Sequence, residues 1–296
     1  MICEPLAMVS AVTPQSPSST ALTAAAARAA HLVVDSPPSI FADTLAEALL
    51  GAQAEELLGY HRTYGDHLVL SAARAQTVCR SRYTEECVSR AIHSGTRQYV
   101  ILGAGLDTFA HRSELAGQVR VFEVDHPATQ QDKRERLAAA GVPVPGNVTY
   151  VPLDFERETL VGGLGAHGFD PSRPSVVAWL GVSMYLTADS VAETLGAIGG
   201  FAPGTQLVMD YMLPGELRDA TARQYADAVA SFAAEHGEPW RTFFTPEDLT
   251  ALLSGCGFES VGHVRQREML DPALWDRQDA LVPLDLSRIA HARTRG

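Results

Sequence analysis

The spacing of apolar residues changes character once along this chain, near Thr96. Upstream, Ala72 to His93 carries Ala75, Val78, Cys79, Tyr83, Cys87, Val88 and Ile92 at helical steps, which predicts one buried face of a helix. From Thr20 the composition is Ala-rich and helix-favouring, and Ser39 to Leu50 reads as an amphipathic helix capped by Ser39 or Asp43. With no strand alternation before Ser94, residues 21–95 are expected to form a helical cap region. Residues 1–20, rich in Ser, Pro, Thr and Ala and broken by Pro14 and Pro17, are expected to be mobile.

Downstream the pattern becomes short apolar runs separated by helix-length segments. Gln98 to Leu102 reads as a buried parallel strand ending in Gly103-Ala104-Gly105. Further strands are predicted at Val119 to Val124, Val148 to Pro152, Ser175 to Leu180, Gln206 to Tyr211 and Phe258 to Val264. Helices are predicted at Thr108 to Leu115, Gln130 to Ala140, Ala188 to Ile198 and Pro214 to His236. Another starts at Thr245, a good N-cap followed by Pro246 and Asp248, and ends at Gly255 or Gly257. The alternation predicts an α/β, doubly wound, Rossmann-like domain over 96–296, with a helical lid insertion at about 214–242. The tail from Glu268 shows no usable motif.

Composition narrows the partners. Among 296 residues, 46% are hydrophobic, enough for a sizeable core, and 23 Lys+Arg against 35 Asp+Glu give a formal charge of −12. That charge repels phosphate backbones and anionic lipid, so nucleic acid and membrane are not expected partners. No apolar run approaches the roughly 20 residues of a membrane span, and Met1 to Thr20 lacks a basic leader, so a cytoplasmic location is expected. Cys3, Cys79, Cys87 and Cys256 form no C-x-x-C pair and the histidines show no ligand spacing, so no metal site is expected.

The candidate chemistry sits after the first two strands. Gly103-Ala104-Gly105-Leu106-Asp107-Thr108 carries the first two glycines of a dinucleotide-binding loop and Thr108 where the third would stand. Glycines there let backbone N–H groups approach a ligand closely; a tight strand-to-helix turn without ligand is the plain alternative. About 20 residues on, Glu123 and Asp125 end the second strand, where a carboxylate can accept both hydroxyls of an adenosine ribose. For either acid alone, a solvated strand end is the more ordinary reading; together with the glycine loop it loses ground.

Ordered blocks extend the pattern. Arg80-Ser81-Arg82-Tyr83-Thr84-Glu85-Glu86, the glycine loop, Val121-Phe122-Glu123-Val124-Asp125-His126-Pro127, Val151 to Phe155, Trp179 to Thr187 and Glu238 to Phe244 together resemble the leucine carboxyl methyltransferase superfamily. They are most similar to its bacterial branch that includes the tetracenomycin-type polyketide O-methyltransferases. The resemblance implies a class I fold and S-adenosyl-L-methionine (SAM) as cofactor. It implies that Arg82 pairs with the SAM carboxylate, that Gly103, Ala104, Gly105 and Asp107 border the cofactor, and that Asp125, with Glu123 nearby, holds the ribose. Asp154 and Phe155 would contact the adenine. Leu180 stands where many relatives carry an acid, so the contact to the cofactor's amino group would come from a backbone carbonyl near Leu180 or Gly103.

Methyl transfer from a sulfonium is an in-line displacement with a neutral leaving group, so the protein chiefly aligns the acceptor oxygen and removes water. A carboxylate is already ionised at pH 7; a phenol, with a pKa near 10, gains from a base. The resemblance therefore implies O-methylation of a small natural-product acceptor, at a carboxylate first and a phenol second. Candidate acceptor-side residues are Tyr185, Ser183, Tyr211, Arg241 and His236. The alternatives are a nicotinamide-dependent oxidoreductase, which shares the glycine loop and acid, and a SAM-binding protein of pericyclic type that transfers no methyl.

Overall fold

The computed structural model describes residues 18–155, 157–235 and 238–296. The segment expected to be mobile lies outside the described residues up to position 17. Four helices precede the sheet: α1 (Ser19–Val34), α2 (Ala46–Leu50), α3 (Ala54–Tyr64) and α4 (Leu68–His93). Helix α1 is capped by Ser18, whose Oγ accepts from the Ala21 N–H at 3.2 Å. Its alanines 25, 26, 29 and 30 are buried with Leu49 and Leu50 of α2, Leu58 of α3 and Leu106 of the glycine loop. Small side chains let α1 lie close to that loop.

The helix predicted over Ser39 to Leu50 is shorter than expected, since only Ala46–Leu50 is helical. Upstream, the backbone and side chains are drawn into tertiary bonds instead. The Ile40 N–H donates to His31 at 2.9 Å, and Asp43, 2% exposed, accepts from Arg28 at 2.7 Å while its other oxygen takes the Ala46 N–H at 3.1 Å. Asp43, rather than Ser39, serves the helix start.

The sheet has seven strands in the order β3-β2-β1-β4-β5-β7-β6. These are β1 (Gln98–Leu102), β2 (Arg120–Asp125), β3 (Val148–Pro152), β4 (Val176–Trp179), β5 (Gln206–Met212), β6 (Phe258–Arg265) and β7 (Ser287–Thr294). The first five pair in parallel, and β7 inserts antiparallel between β5 and β6. The connections carry α5 (Phe109–Arg112), α6 (Pro127–Ala139), α7 (Leu160–Ala166), α8 (Ala188–Gly199), α9 (Ala220–Glu235) and α10 (Pro246–Gly255). Strand pleating divides the core. Val100, Leu102, Phe122 and Trp179 face α7, α8 and α10, whereas Tyr99, Ile101, Val121 and Ala178 face Val88 and Ile92 of α4 and Phe109 of α5. The sheet is thus covered on both faces, as the expected doubly wound architecture requires.

Three features depart from the sequence reading. The helix expected over Thr108 to Leu115 is the single turn Phe109–Arg112, because Ser113 turns extended. Helix α7, with glycines at 162, 163 and 165, has a composition that hides a helix. Strand β7 lies in the tail that showed no motif, and its partners β5 and β6 supply the reason for it. The start of α10 is as read, with Thr245 Oγ1 accepting from the Asp248 N–H at 3.0 Å. No described helix is long and apolar enough to cross a membrane.

One buried ion pair fastens the end of α1 to α4. Arg74 of α4, 1% exposed, donates through Nε and Nη2 to both oxygens of Asp35, each at 2.9 Å, just past the end of α1. Burial lifts the Asp35 carboxyl, but the bonds from His31 and Arg74 outweigh it and hold Asp35 below its ordinary value. A group depressed in the folded state stabilises above its unfolded pKa and loses that contribution as pH falls. Asp35→Ala, which strands a buried guanidinium, should therefore cost about 3–5 kcal/mol, measured by urea unfolding at pH 7. The gap between the wild type and this variant should narrow as the pH is lowered below about 4.

Candidate active site

A cleft of about 1050 Å³ opens at the C-terminal ends of β1, β2 and β4. It stands at the upper end of the roughly 300–1,000 Å³ usual for ligand sites, which leaves room for a cofactor and a second molecule. Its position follows from the sheet order. The chain leaves β1 toward β2 on one side and leaves β4 toward β5 on the other, so no crossover covers the crevice between them.

The floor is the glycine loop. Gly103 and Gly105 have φ of +63° and +48°, a left-handed region that side chains disfavour. A Cβ on Gly103 would stand 2.2 Å from Val182 Cγ2, and one on Gly105 would stand 3.0 Å from Ala21 of α1. The loop is tied to the end of β2 by Asp125, whose Oδ2 accepts from the Gly105 N–H and whose Oδ1 accepts from the His126 N–H at 2.7 Å. Loss of water at the cleft floor pushes the Asp125 carboxyl up, against those two backbone bonds. Arg28 pins the far side of the loop by donating to the Leu106 carbonyl at 2.6 Å. Gly103, Ala104, Gly105, Asp107, Asp125, Asp154, Phe155 and Leu180 all border this cleft, so the structure brings together most of the expected cofactor-side residues.

Two acids and bases of that set stand elsewhere. Glu123 is fully buried beneath α6, where Lys133 Nζ holds it at 2.6 Å, and it does not reach the cleft. Arg82 points away as well. It pairs with Glu86 at 2.9 Å and donates to the Ile40 carbonyl at 3.0 Å on the outer face of α4. Of the two arginines in that block, Arg80 is the one that lines the cleft, held by Asp210 at 2.8 Å with Gly181 packed against its guanidinium. Two residues along a helix turn by about 200°, so spacing alone could not choose between Arg80 and Arg82.

The acceptor-side candidates also divide. Tyr185 borders the cleft; burial, with the Glu238 carboxylate nearby, pushes its hydroxyl up to about 12, so it stays protonated. Tyr211 is 1% exposed in the core, with its hydroxyl 2.7 Å from His263 Nδ1, and lies outside the cleft. Ser183 is buried and donates to the Asp210 carbonyl at 2.8 Å. Arg241 is exposed, away from the cleft, and its backbone N–H donates to the Met184 carbonyl at 2.7 Å. His236 lies outside the described residues.

The opposite wall comes from α9 and the segment after it. Tyr225, Ala228 and Val229 of α9 and Trp240 face the cleft, and Glu238 joins that segment to the start of α1. Its two carboxylate oxygens accept from Ser18 Oγ at 2.9 Å, Ser19 Oγ at 3.0 Å and the Thr20 N–H at 3.2 Å. An acid at a helix N-terminus is favoured by the unpaired N–H groups there. Sequence reading missed this latch and also His61, which borders the cleft from α3. Glu238 opens one of the motif blocks, but its partners lie about 220 residues away, and His61 sits in no motif.

Comparison with known proteins places this architecture. The family model of the leucine carboxyl methyltransferases matches residues 21–199. A Bacillus subtilis (strain 168) protein, YktD, provisionally named an S-adenosyl-L-methionine-dependent methyltransferase, is 30% identical over 93% of this chain and 97% of its own length. A Mycobacterium sp. (strain KMS) protein of the same provisional name is 33% identical over 77% of this chain and 75% of its own. Among solved structures, a Thermobifida fusca YX protein provisionally described as a methyltransferase shares the fold, with a TM-score of 0.60 at 19% identity over 99% of this chain and 98% of that one.

These placements separate residues that border the cleft from residues held elsewhere. Asp125→Ala should weaken SAM binding about tenfold or more, the loss expected for hydrogen bonds to a charged group, whereas Arg82→Ala should leave the calorimetric affinity unchanged. Glu123→Gln should lower the melting temperature, because Lys133 loses its buried counter-charge, while the folded protein binds SAM as the wild type does.

Proposed function

The chain belongs to the leucine carboxyl methyltransferase family, and on that premise we propose that this SAM-dependent methyltransferase methylates an oxygen of a small, largely apolar acceptor of natural-product type, a carboxylate before a phenol. The nicotinamide alternative falls with the family assignment. The observation that carries the acceptor reading is the apolar part of the cleft lining, which includes Leu57, Tyr60, Met184, Met212, Tyr225 and Val229. Such a wall favours an apolar body and disfavours a highly charged one.

The residues present fit the cofactor. The glycine loop, without side chains at 103 and 105, lets a ligand approach the backbone closely, Asp125 stands where a ribose would be held, and Phe155 offers a ring beside Asp154 for a base. Arg80, in place of Arg82, is the guanidinium proposed for the cofactor carboxylate. Bound SAM supplies a methyl group on a cationic sulfur. The chain supplies alignment and dryness: α1, α9 and the Glu238 latch roof the cleft and exclude water from the transfer. We assign the segment 214–242 as the lid and 21–95 as the cap on this basis.

The carboxylate is proposed ahead of the phenol because the two tyrosines of the wall offer no base. Burial pushes the hydroxyls of Tyr185 and Tyr225 upward, so neither ionises near neutral pH to serve as base. A carboxylate needs none. The test is S-adenosylhomocysteine release from SAM with 2-naphthoate and with 2-naphthol. Turnover of the naphthoate at least about tenfold faster, flat from pH 6 to 8, is expected for an acceptor that is already ionised. Faster turnover of the naphthol, rising with pH, would reverse the order. SAM binding without release from either acceptor would favour the protein of pericyclic type.

A further inference from the structure

Behind the wall that α3 and α4 contribute to the cleft lies a polar array that reaches the lining through His61. Besides its two bonds to Asp35, Arg74 donates from Nη2 to the Gly65 carbonyl at 3.0 Å and from Nη1 to His61 Nδ1 at 3.1 Å. Asp35 Oδ2 also accepts from His31 Nδ1 at 2.9 Å, and His31 Nε2 accepts the Ile40 N–H at 2.9 Å. Each end of this chain is a group that can only donate, the Ile40 peptide N–H at one and the Arg74 guanidinium at the other. The tautomers follow from that. Nδ1 of His61 must present its lone pair to Arg74, so the single proton of the neutral ring sits on Nε2.

His61 is 6% exposed and lines the cleft. Among the described residues, no protein acceptor takes the Nε2 proton, yet Nε2 is not among the sealed polar atoms that lack a partner. The atom thus keeps accessible surface, and the cleft is the cavity that His61 lines. We infer that His61 Nε2–H is an acceptor-binding subsite, a fixed neutral donor that takes a carbonyl or carboxylate oxygen of the molecule to be methylated. The inference rests on the O-methylation reading and adds to it the atom that recognises the acceptor.

The geometry excludes the opposite role. A general base must offer a lone pair to the substrate, and the lone pair of His61 is spent on Arg74. Protonating His61 would set a second cation 3.1 Å from a guanidinium whose only counter-charge in this array is Asp35. Burial first, then the Arg74 charge, pulls His61 down to about 4 against the opposing pull of Asp35. A neutral donor also suits an oxygen nucleophile: it orients the oxygen without fixing its charge as a full ion pair would. The Asp35–Arg74 pair, buried behind His61 and out of the substrate's reach, positions the ring.

Two measurements on the full chain test this. Nitrogen-15 NMR of the histidine rings should show His61 as the neutral Nε2–H tautomer from pH 5 to 8. An Nδ1–H tautomer, or protonation with a midpoint near 6.5, overturns the subsite. In the second, 2-naphthoate is titrated calorimetrically into protein saturated with S-adenosylhomocysteine. His61→Phe should weaken naphthoate binding about tenfold or more, His61→Gln, whose amide N–H falls near the Nε2 position, should recover most of it, and all three proteins should bind S-adenosylhomocysteine alike. Equal naphthoate affinity in wild type and His61→Phe, or no naphthoate binding by the loaded wild type, overturns the subsite while leaving the methyltransferase reading intact. Failure of the wild type to bind S-adenosylhomocysteine would instead sink that reading.

Discussion

A parallel sheet whose chain departs from its two central strands in opposite directions cannot cover its own middle. That constraint leaves the crevice between the ends of β1 and β4 open, and the rest of the molecule is arranged around it. The floor has to come from backbone, because Val182 approaches Gly103 so closely that no side chain fits there. Asp125 then secures the loop to β2, and Arg28 secures it to the helices above.

The roof is built from elements that the sheet does not contain. Helix α1 can cross the glycine loop because its inner face is alanine, and it is anchored at both ends by carboxylates. Glu238 gathers the free donors at its start, and Asp35 fastens its end to α4 through Arg74. Both anchors are partly or wholly buried, where an unpaired partner is costly. The same Asp35–Arg74 pair sets the orientation of His61. A bond that stabilises the cap thereby also sets what the cap offers to a ligand.

Neighbouring residues of like charge shared a motif and yet were divided by the fold. Arg80 and Arg82 lie on opposite faces of α4, one toward Asp210 and the cleft, the other toward Glu86 and solvent. Glu123 and Asp125 lie two apart on β2, but α6 places Lys133 over the first, and the strand ends at the second, freeing it to meet Gly105. Tyr211 went to the core because β6 sets His263 beside its hydroxyl. In each case the deciding partner came from another element.

The sequence by itself determined the α/β class, the positions of six strands, the glycine loop after β1 with Asp125 at the end of β2, and the family, because periodicity, glycine and turn chemistry are local and the motif blocks are contiguous. It could not show β7, whose strand character comes from pairing with β5 and β6, nor the short helix α7, whose glycines argue against it. Only the tertiary structure decided which arginine faces the cleft, which acid is neutralised, and that Asp35, His61 and Arg74 form one array. Those residues are distant along the chain and of ordinary type. Their roles arise from burial and from donors with nowhere else to turn, and burial is a property of the packed molecule rather than of any stretch of its sequence.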